Sequence, residues 1–125
     1  AEARRVRKIL GGGMRQTGII AAGGIVALEE MTERLVDDHA HARRLAEGIA
    51  EIPGLRVDLD TVRTNIVFFH LEDTGLTEDD FMARLEERGV HLLHLGSFQF
   101  RMVTHHGITA EDVEMALEAL KDVVG

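Results

Sequence analysis

The chain has 125 residues, 45% of them hydrophobic, and a formal net charge of −8; that length suits one compact domain or a piece of a larger one, with enough apolar content for a core. With no cysteine, disulfides and thiolate metal sites are excluded and a cytoplasmic location fits. The negative charge and the lack of Trp and Tyr argue against nucleic acid as a partner, and no apolar run approaches the roughly 18 residues of a membrane span.

The charge is unevenly spread. Arg4, Arg5, Arg7, Lys8 and Arg15 make the start of the chain basic, while the remainder is acidic. Residues 1–10 (AEARRVRKIL) read as the end of a helix with no cap, as in a segment taken from a longer chain. Gly11-Gly12-Gly13 stops it, because glycine tolerates the positive φ of a helix stop. A second helix is predicted over Met14–Glu30. Its small residues Gly18, Ala21, Ala22, Gly23, Gly24 and Ala27 weaken an isolated helix, so they imply close approach of another helix or another subunit. A third helix is predicted over Thr32–Ile52. Met31, Leu35, Ala42, Leu45, Ala46, Ile49 and Ile52 form its apolar stripe, and DDHAHARR lies mostly towards water. Pro53-Gly54 ends it.

Leu55–Asp58 and Thr64–Leu71 then read as strands, the second (TNIVFFHL) so continuously apolar that cover on both faces is expected. Thr77, with Asp80 three residues on, opens a helix by a capping box; Phe81 and Leu85 face its core side and Gly89 stops it. Strands are predicted at Val90–Leu95 and Phe98–Thr104. Thr109 and Asp112 form a second capping box, opening a last helix with Val113, Ala116, Leu117 and Leu120 inward. From residue 55 the order is strand–strand–helix–strand–strand–helix. That order predicts an α+β fold, an antiparallel sheet covered by helices.

Three places could carry chemistry. In KILGGGMR (residues 8–15) a helix starting after the glycines would present unpaired N–H groups and the positive end of its dipole, a natural anion site, with Lys8 and Arg15 on either side. Local sequence alone favours the plainer reading, a turn with solvated cations. Arg101 lies in FQFRMVTH, where alternation puts Phe98, Phe100 and Met102 on one face and Gln99, Arg101 and Val103 on the other. A guanidinium on a rigid strand can grip a carboxylate through two parallel hydrogen bonds; strand position alone favours an arginine paired to a surface glutamate. The histidines give no zinc pattern: His91 and His94, three apart on a strand, point to opposite faces. No metal site is expected. Ser97 is the only serine, no G-x-S-x-G is present, and no catalytic group is expected in the segment.

The run ARRVRKILGGGMRQTGIIAAGGIVALEEM (residues 3–31) resembles a segment of the low-specificity L-threonine aldolases, which are fold-type I pyridoxal-phosphate enzymes. The resemblance continues through LVDDHAHARRLAEGIAEIPGL, TNIVFF, Gly89-Val90 and RMVTHHGITAEDVEMAL (residues 101–117), in family order over nearly the whole chain. It implies a C-terminal small domain over residues 32–125, preceded by an inter-domain helical segment over residues 1–31, with a large N-terminal domain outside this chain. It also implies a homo-oligomer, dimeric or tetrameric. By resemblance Arg15 reaches the phosphate of pyridoxal 5′-phosphate, Lys8 is its basic neighbour, and Arg101 grips the α-carboxylate of an amino-acid substrate. The lysine that carries the cofactor, the aspartate facing its pyridine nitrogen and the stacking histidine belong upstream, so the segment alone is catalytically incomplete. HLLHLGSFQF before Arg101 departs from the family's usual Gly/Pro-containing connection. The implied reaction is cleavage of L-threonine or L-allo-threonine to glycine and acetaldehyde. The small domain of a β-eliminating lyase, or a non-catalytic α+β assembly module, are the alternatives.

Overall fold

The computed structural model describes residues 1–125 as two units, Ala1–Arg34 and Leu35–Gly125. The first holds two helices, α1 (Glu2–Ile9) and α2 (Thr17–Glu30), neither of which has a buried residue. α1 stops at the glycines as expected: Gly11 takes φ +82°, and the Gly12 N–H returns to the Arg7 carbonyl at 2.8 Å. α2 begins three residues later than Met14, because Gln16 lies in the left-handed region (φ 54°) and breaks the helical path before Thr17.

The second unit runs α3 (Leu35–Ala50), β1 (Leu55–Val57), a 3₁₀ turn (Leu59–Thr61), β2 (Ile66–Leu71), α4 (Glu78–Glu86), β3 (Leu93–Gly96), β4 (Gln99–Val103) and α5 (Ala110–Val124). The four strands form one antiparallel sheet in the order β1-β2-β4-β3. This is the α+β architecture the sequence predicts. α3 starts at Leu35, later than Thr32, and ends at Ala50, before Ile52.

One face of the sheet builds the core. Val67 pairs with Met102 and Phe69 with Phe100 across β2 and β4, and all four are buried against Ile49 of α3, Phe81 and Leu85 of α4, and Leu117 and Leu120 of α5. Phe69, Phe81 and Phe100 form an aromatic triangle with ring centroids 4.9 to 6.4 Å apart, in the offset and tilted arrangements that ring quadrupoles favour. Each such ring removed from water contributes about 1.5–3 kcal/mol.

The opposite sheet face carries no layer from this unit, so the expectation that β2 is covered on both sides is corrected. β2 alternates buried and exposed along its length, with Phe68 41% exposed, the pattern of an antiparallel sheet packed on one side. Two further expectations change. Asp38 is buried, not turned to water, because it stands one turn before Ala42 on the apolar stripe of α3, and its carbonyl accepts the Thr104 hydroxyl at 2.6 Å. Phe98 does not share the face of Phe100 and Met102: it is the second residue of the two-residue β3–β4 turn, at φ 58°, and is exposed.

Candidate binding site

Each arginine singled out in the sequence has its own setting. Arg15 is exposed at the approach to α2. The residue at the helix N-cap, Gln16, makes no side-chain bond to the first-turn amides, and no acidic residue lies in that turn. The positive end of the α2 dipole and the Arg15 cation are therefore uncompensated locally. Lys8 folds back over the glycine turn: a Cβ built on Gly13 would meet its ammonium nitrogen at 3.0 Å. Gly12 is likewise closed off, since a Cβ there would stand 2.6 Å from Arg7 Cγ. Gly13 thus lets Lys8 lie against the turn and Gly12 lets Arg7 do so, while the N–H groups of Gly11, Gly12 and Gly13 are taken by the carbonyls of Lys8, Arg7 and Gly11. An anion of phosphate type fits here by the charge of Lys8 and Arg15 and by the positive end of α2.

Arg101 projects from the open face of the sheet. β4 is an interior strand, and the Cα partners of Arg101 are Phe68 on β2 and Leu93 on β3, so its stem runs between two apolar neighbours. Its Nε is buried and has no hydrogen-bond partner. A buried, unpaired donor on a guanidinium is costly unless an acceptor arrives. Arg101 also lines a recess of about 260 Å³ together with His91, Leu93, Val103 and His105. The glutamate partner of the plainer reading does not occur. A carboxylate entering the recess would meet the Arg101 cation and neutralise its charge, and a guanidinium offers paired donors for such a group.

The β3–β4 turn next to Arg101 has a contact that sequence reasoning missed. Glu78, the first residue of α4, accepts the Phe98 N–H, and His94 Nε2 stands 2.8 Å from the same oxygen, within ion-pair distance but outside hydrogen-bond alignment. The Phe98 N–H, and after it the His94 ring, hold the Glu78 carboxyl below the usual glutamate range. Nothing local announces this contact, which joins residues 20 apart.

The histidines are dispersed. His91 precedes β3 rather than lying in it, which removes the strand argument for opposite faces; it is exposed, whereas His94 is half-buried against Phe100 with ring centroids 5.2 Å apart. His41 is half-buried on α3, and its Nδ1 has no partner. No group of three or more His, Asp or Glu side chains is placed to hold a metal, and no helix is long and apolar enough to cross a membrane.

Comparison with known proteins gives a consistent set of relatives. The chain is 41% identical over 124 residues to low-specificity L-threonine aldolase 1 of Arabidopsis thaliana, a match covering 98% of this chain and 35% of the relative. It is 42% identical over 123 residues to probable low-specificity L-threonine aldolase 2 of the same plant, with the same coverage of each. Against the low specificity L-threonine aldolase of Escherichia coli K12 it is 35% identical over 110 residues, 87% of this chain and 31% of that protein. The chain thus spans about a third of the length of the curated relatives it matches. The family model described as beta-eliminating lyase matches residues 1–74. With more than half of its residues inside that match, the chain belongs to the beta-eliminating lyase family.

Proposed function

We propose that this chain is the C-terminal part of a pyridoxal-phosphate-dependent threonine aldolase and supplies two anion grips to it. Arg101 receives the α-carboxylate of the amino-acid substrate. Arg15, with Lys8 beside it, receives the cofactor phosphate. The observation that carries the reading is the buried, unpartnered Nε of Arg101, a residue that also lines a recess; the names of the relatives and the family give the chemistry in which such a grip is needed.

When bound, pyridoxal phosphate supplies the electron sink for cleaving L-threonine or L-allo-threonine to glycine and acetaldehyde. This chain contributes orientation and charge. Arg101, fixed on an interior strand, holds the carboxylate so that the Cα–Cβ bond to be broken is presented in one geometry, and the grip is worth most where both its hydrogen bonds form. Lys8 and Arg15 neutralise phosphate charge at the glycine turn. No residue of this chain moves a proton or forms a covalent bond in the reaction; those tasks belong to the remainder of the protein. The reading includes a cytoplasmic homo-oligomer, dimeric or tetrameric. α2, apolar and rich in small residues yet without a buried side chain, supports such packing against a neighbour.

The test is the steady-state kinetics of Arg101→Ala in the full-length protein. Loss of the carboxylate grip raises KM for L-threonine and lowers kcat/KM by about ten- to a hundred-fold, the worth of a charged hydrogen-bonding pair. Parental kinetics in that variant remove Arg101 from the site.

A further inference from the structure

The β3–β4 tip joins a strained turn to two external holds. Ser97 and Phe98 both take positive φ, 53° and 58°, a region that costs side-chain-bearing residues sterically and is rare for a bulky one. A two-residue hairpin loop with both residues left-handed is the form that sequences ordinarily fill with Asn-Gly. Ser-Phe in its place has to be stabilised from outside the turn. The Phe98 peptide groups are held on both sides: its N–H donates to Glu78, and its carbonyl accepts the Leu71 N–H at 3.0 Å.

Glu78 is not spent on its own helix. Thr77 caps α4 by accepting the Asp80 N–H at 3.1 Å and is bonded in turn to the Asp80 carboxylate, which leaves Glu78 to reach the hairpin. Like any glutamate with an ordinary or lowered pKa it is an anion at neutral pH, the form that grips an N–H best. From Phe98 the chain runs three residues to Arg101 on β4. β3 is irregular between His94 and Gly96, leaving Leu95 outside the regular pairing, so the tip is where the register of this hairpin can slip. β4 is pinned by its five pairs with β2 and by the buried Phe100 and Met102, so a one-residue slip falls on the edge strand β3 and turns Leu93, which walls the recess beside Arg101, to the other face.

We propose that Glu78 is a positioning residue for the Arg101 recess: by holding the Phe98 amide and the edge of His94, it keeps the β3–β4 turn left-handed and preserves the register that sets Leu93 of β3 beside Arg101. This rests on the reading of Arg101 as the carboxylate grip.

The test uses the full-length protein loaded with cofactor and compares Arg101→Ala, Glu78→Ala, the turn pair Ser97→Asn/Phe98→Gly, and the turn pair combined with Glu78→Ala. Glu78→Ala raises KM for L-threonine about ten-fold, the scale of one left-handed residue losing its support, with kcat within about two-fold and the cofactor absorption band unchanged. The turn pair alone keeps the parental KM. The combination returns KM close to the parental value, because Asn-Gly adopts this turn unaided. A parental KM in Glu78→Ala alongside a raised KM in Arg101→Ala overturns the role of Glu78 and leaves the carboxylate grip standing. A raised KM that the turn pair does not restore also overturns it, since Glu78 would then act by another route. A parental KM in Arg101→Ala removes the reading beneath both. If Glu78→Ala folds poorly, Glu78→Met keeps the apolar stem without the carboxylate: faster amide exchange at Phe98 supports the proposal, and parental protection there overturns it.

Discussion

Gly48 on α3 faces Leu117 on α5 so closely that a Cβ on the glycine would stand 2.4 Å from Leu117 Cδ1 and 2.5 Å from Cδ2. Two effects oppose each other in Gly48→Ala. Alanine gains about 1 kcal/mol over glycine inside a helix. Overpacking a filled core costs about 1–3 kcal/mol, and Leu117, 1% exposed, has little room to change rotamer. Packing wins, so Gly48→Ala lowers stability by up to about 2 kcal/mol, read as a lower urea midpoint at unchanged slope. A rise in the midpoint would show that Leu117 swings aside at little cost.

Thr104 ties the end of β4 to the start of α3. Its hydroxyl donates to the Asp38 carbonyl at 2.6 Å, both residues being buried, and its carbonyl accepts from Asn65 Nδ2. Thr104→Val keeps the shape and removes the donor, so the loss is about 1 kcal/mol, the net worth of one hydrogen bond. Thermal unfolding of the two proteins checks it, and equal Tm values would mean that the hydroxyl is replaceable by packing.

Local signals were the legible ones. The Thr109–Asp112 box that opens α5 can be read from four residues, and the structure forms both of its reciprocal bonds. The glycine stop of α1, the inward set of α5 and the succession of strands and helices from residue 55 also follow from short-range pattern, whereas the order β1-β2-β4-β3 in the sheet does not. Alternation failed at Phe98, because period-two reasoning assumes that a strand continues, and the chain spends that residue on a turn. The helical-stripe reading failed at Asp38 because a polar type was given more weight than its place on the apolar stripe of α3. The Glu78 contact with Phe98 was out of reach for a different reason: it exists only once α4 is laid beside the hairpin. The site divides in the same way. The sequence identifies Arg101 as a candidate, whereas the orphaned Nε that makes it persuasive is a property of the folded sheet.

At the glycine turn the prediction concerns cofactor retention. Arg15→Ala in the full-length protein weakens pyridoxal-phosphate binding by about ten- to a hundred-fold, as expected for one charge-assisted contact to phosphate, seen as loss of the cofactor absorption band on dialysis. Gly13→Ala has a smaller effect of the same sign. It presses on the Lys8 ammonium, 3.0 Å from the new Cβ, and that flexible group moves away at little cost to the fold. Full retention in both variants returns residues 8–15 to a turn with solvated cations.

The α5 capping box makes a pH prediction whose sign is fixed. The Thr109 N–H and hydroxyl bond the Asp112 carboxylate at 2.9 and 3.0 Å, and the backbone bond first, the hydroxyl second, lower its pKa below the ordinary aspartate value. A carboxyl depressed in the folded state binds fewer protons there than in the unfolded chain. Its stabilisation is therefore complete above the unfolded aspartate pKa, about 3.9, and is lost as pH falls through the lower folded value. Asp112→Asn removes this term while leaving Thr109 able to accept the N–H of residue 112. The variant is accordingly less stable than the parent at pH 7, and the gap narrows as pH drops below about 4. Glu78 titrates in both proteins, so its own acid-linked loss cancels in the difference. Urea midpoints of the pair from pH 7 to the acid limit of the folded state measure the gap; one that stays constant or widens towards acid would show that the carboxylate form of Asp112 adds nothing to the cap.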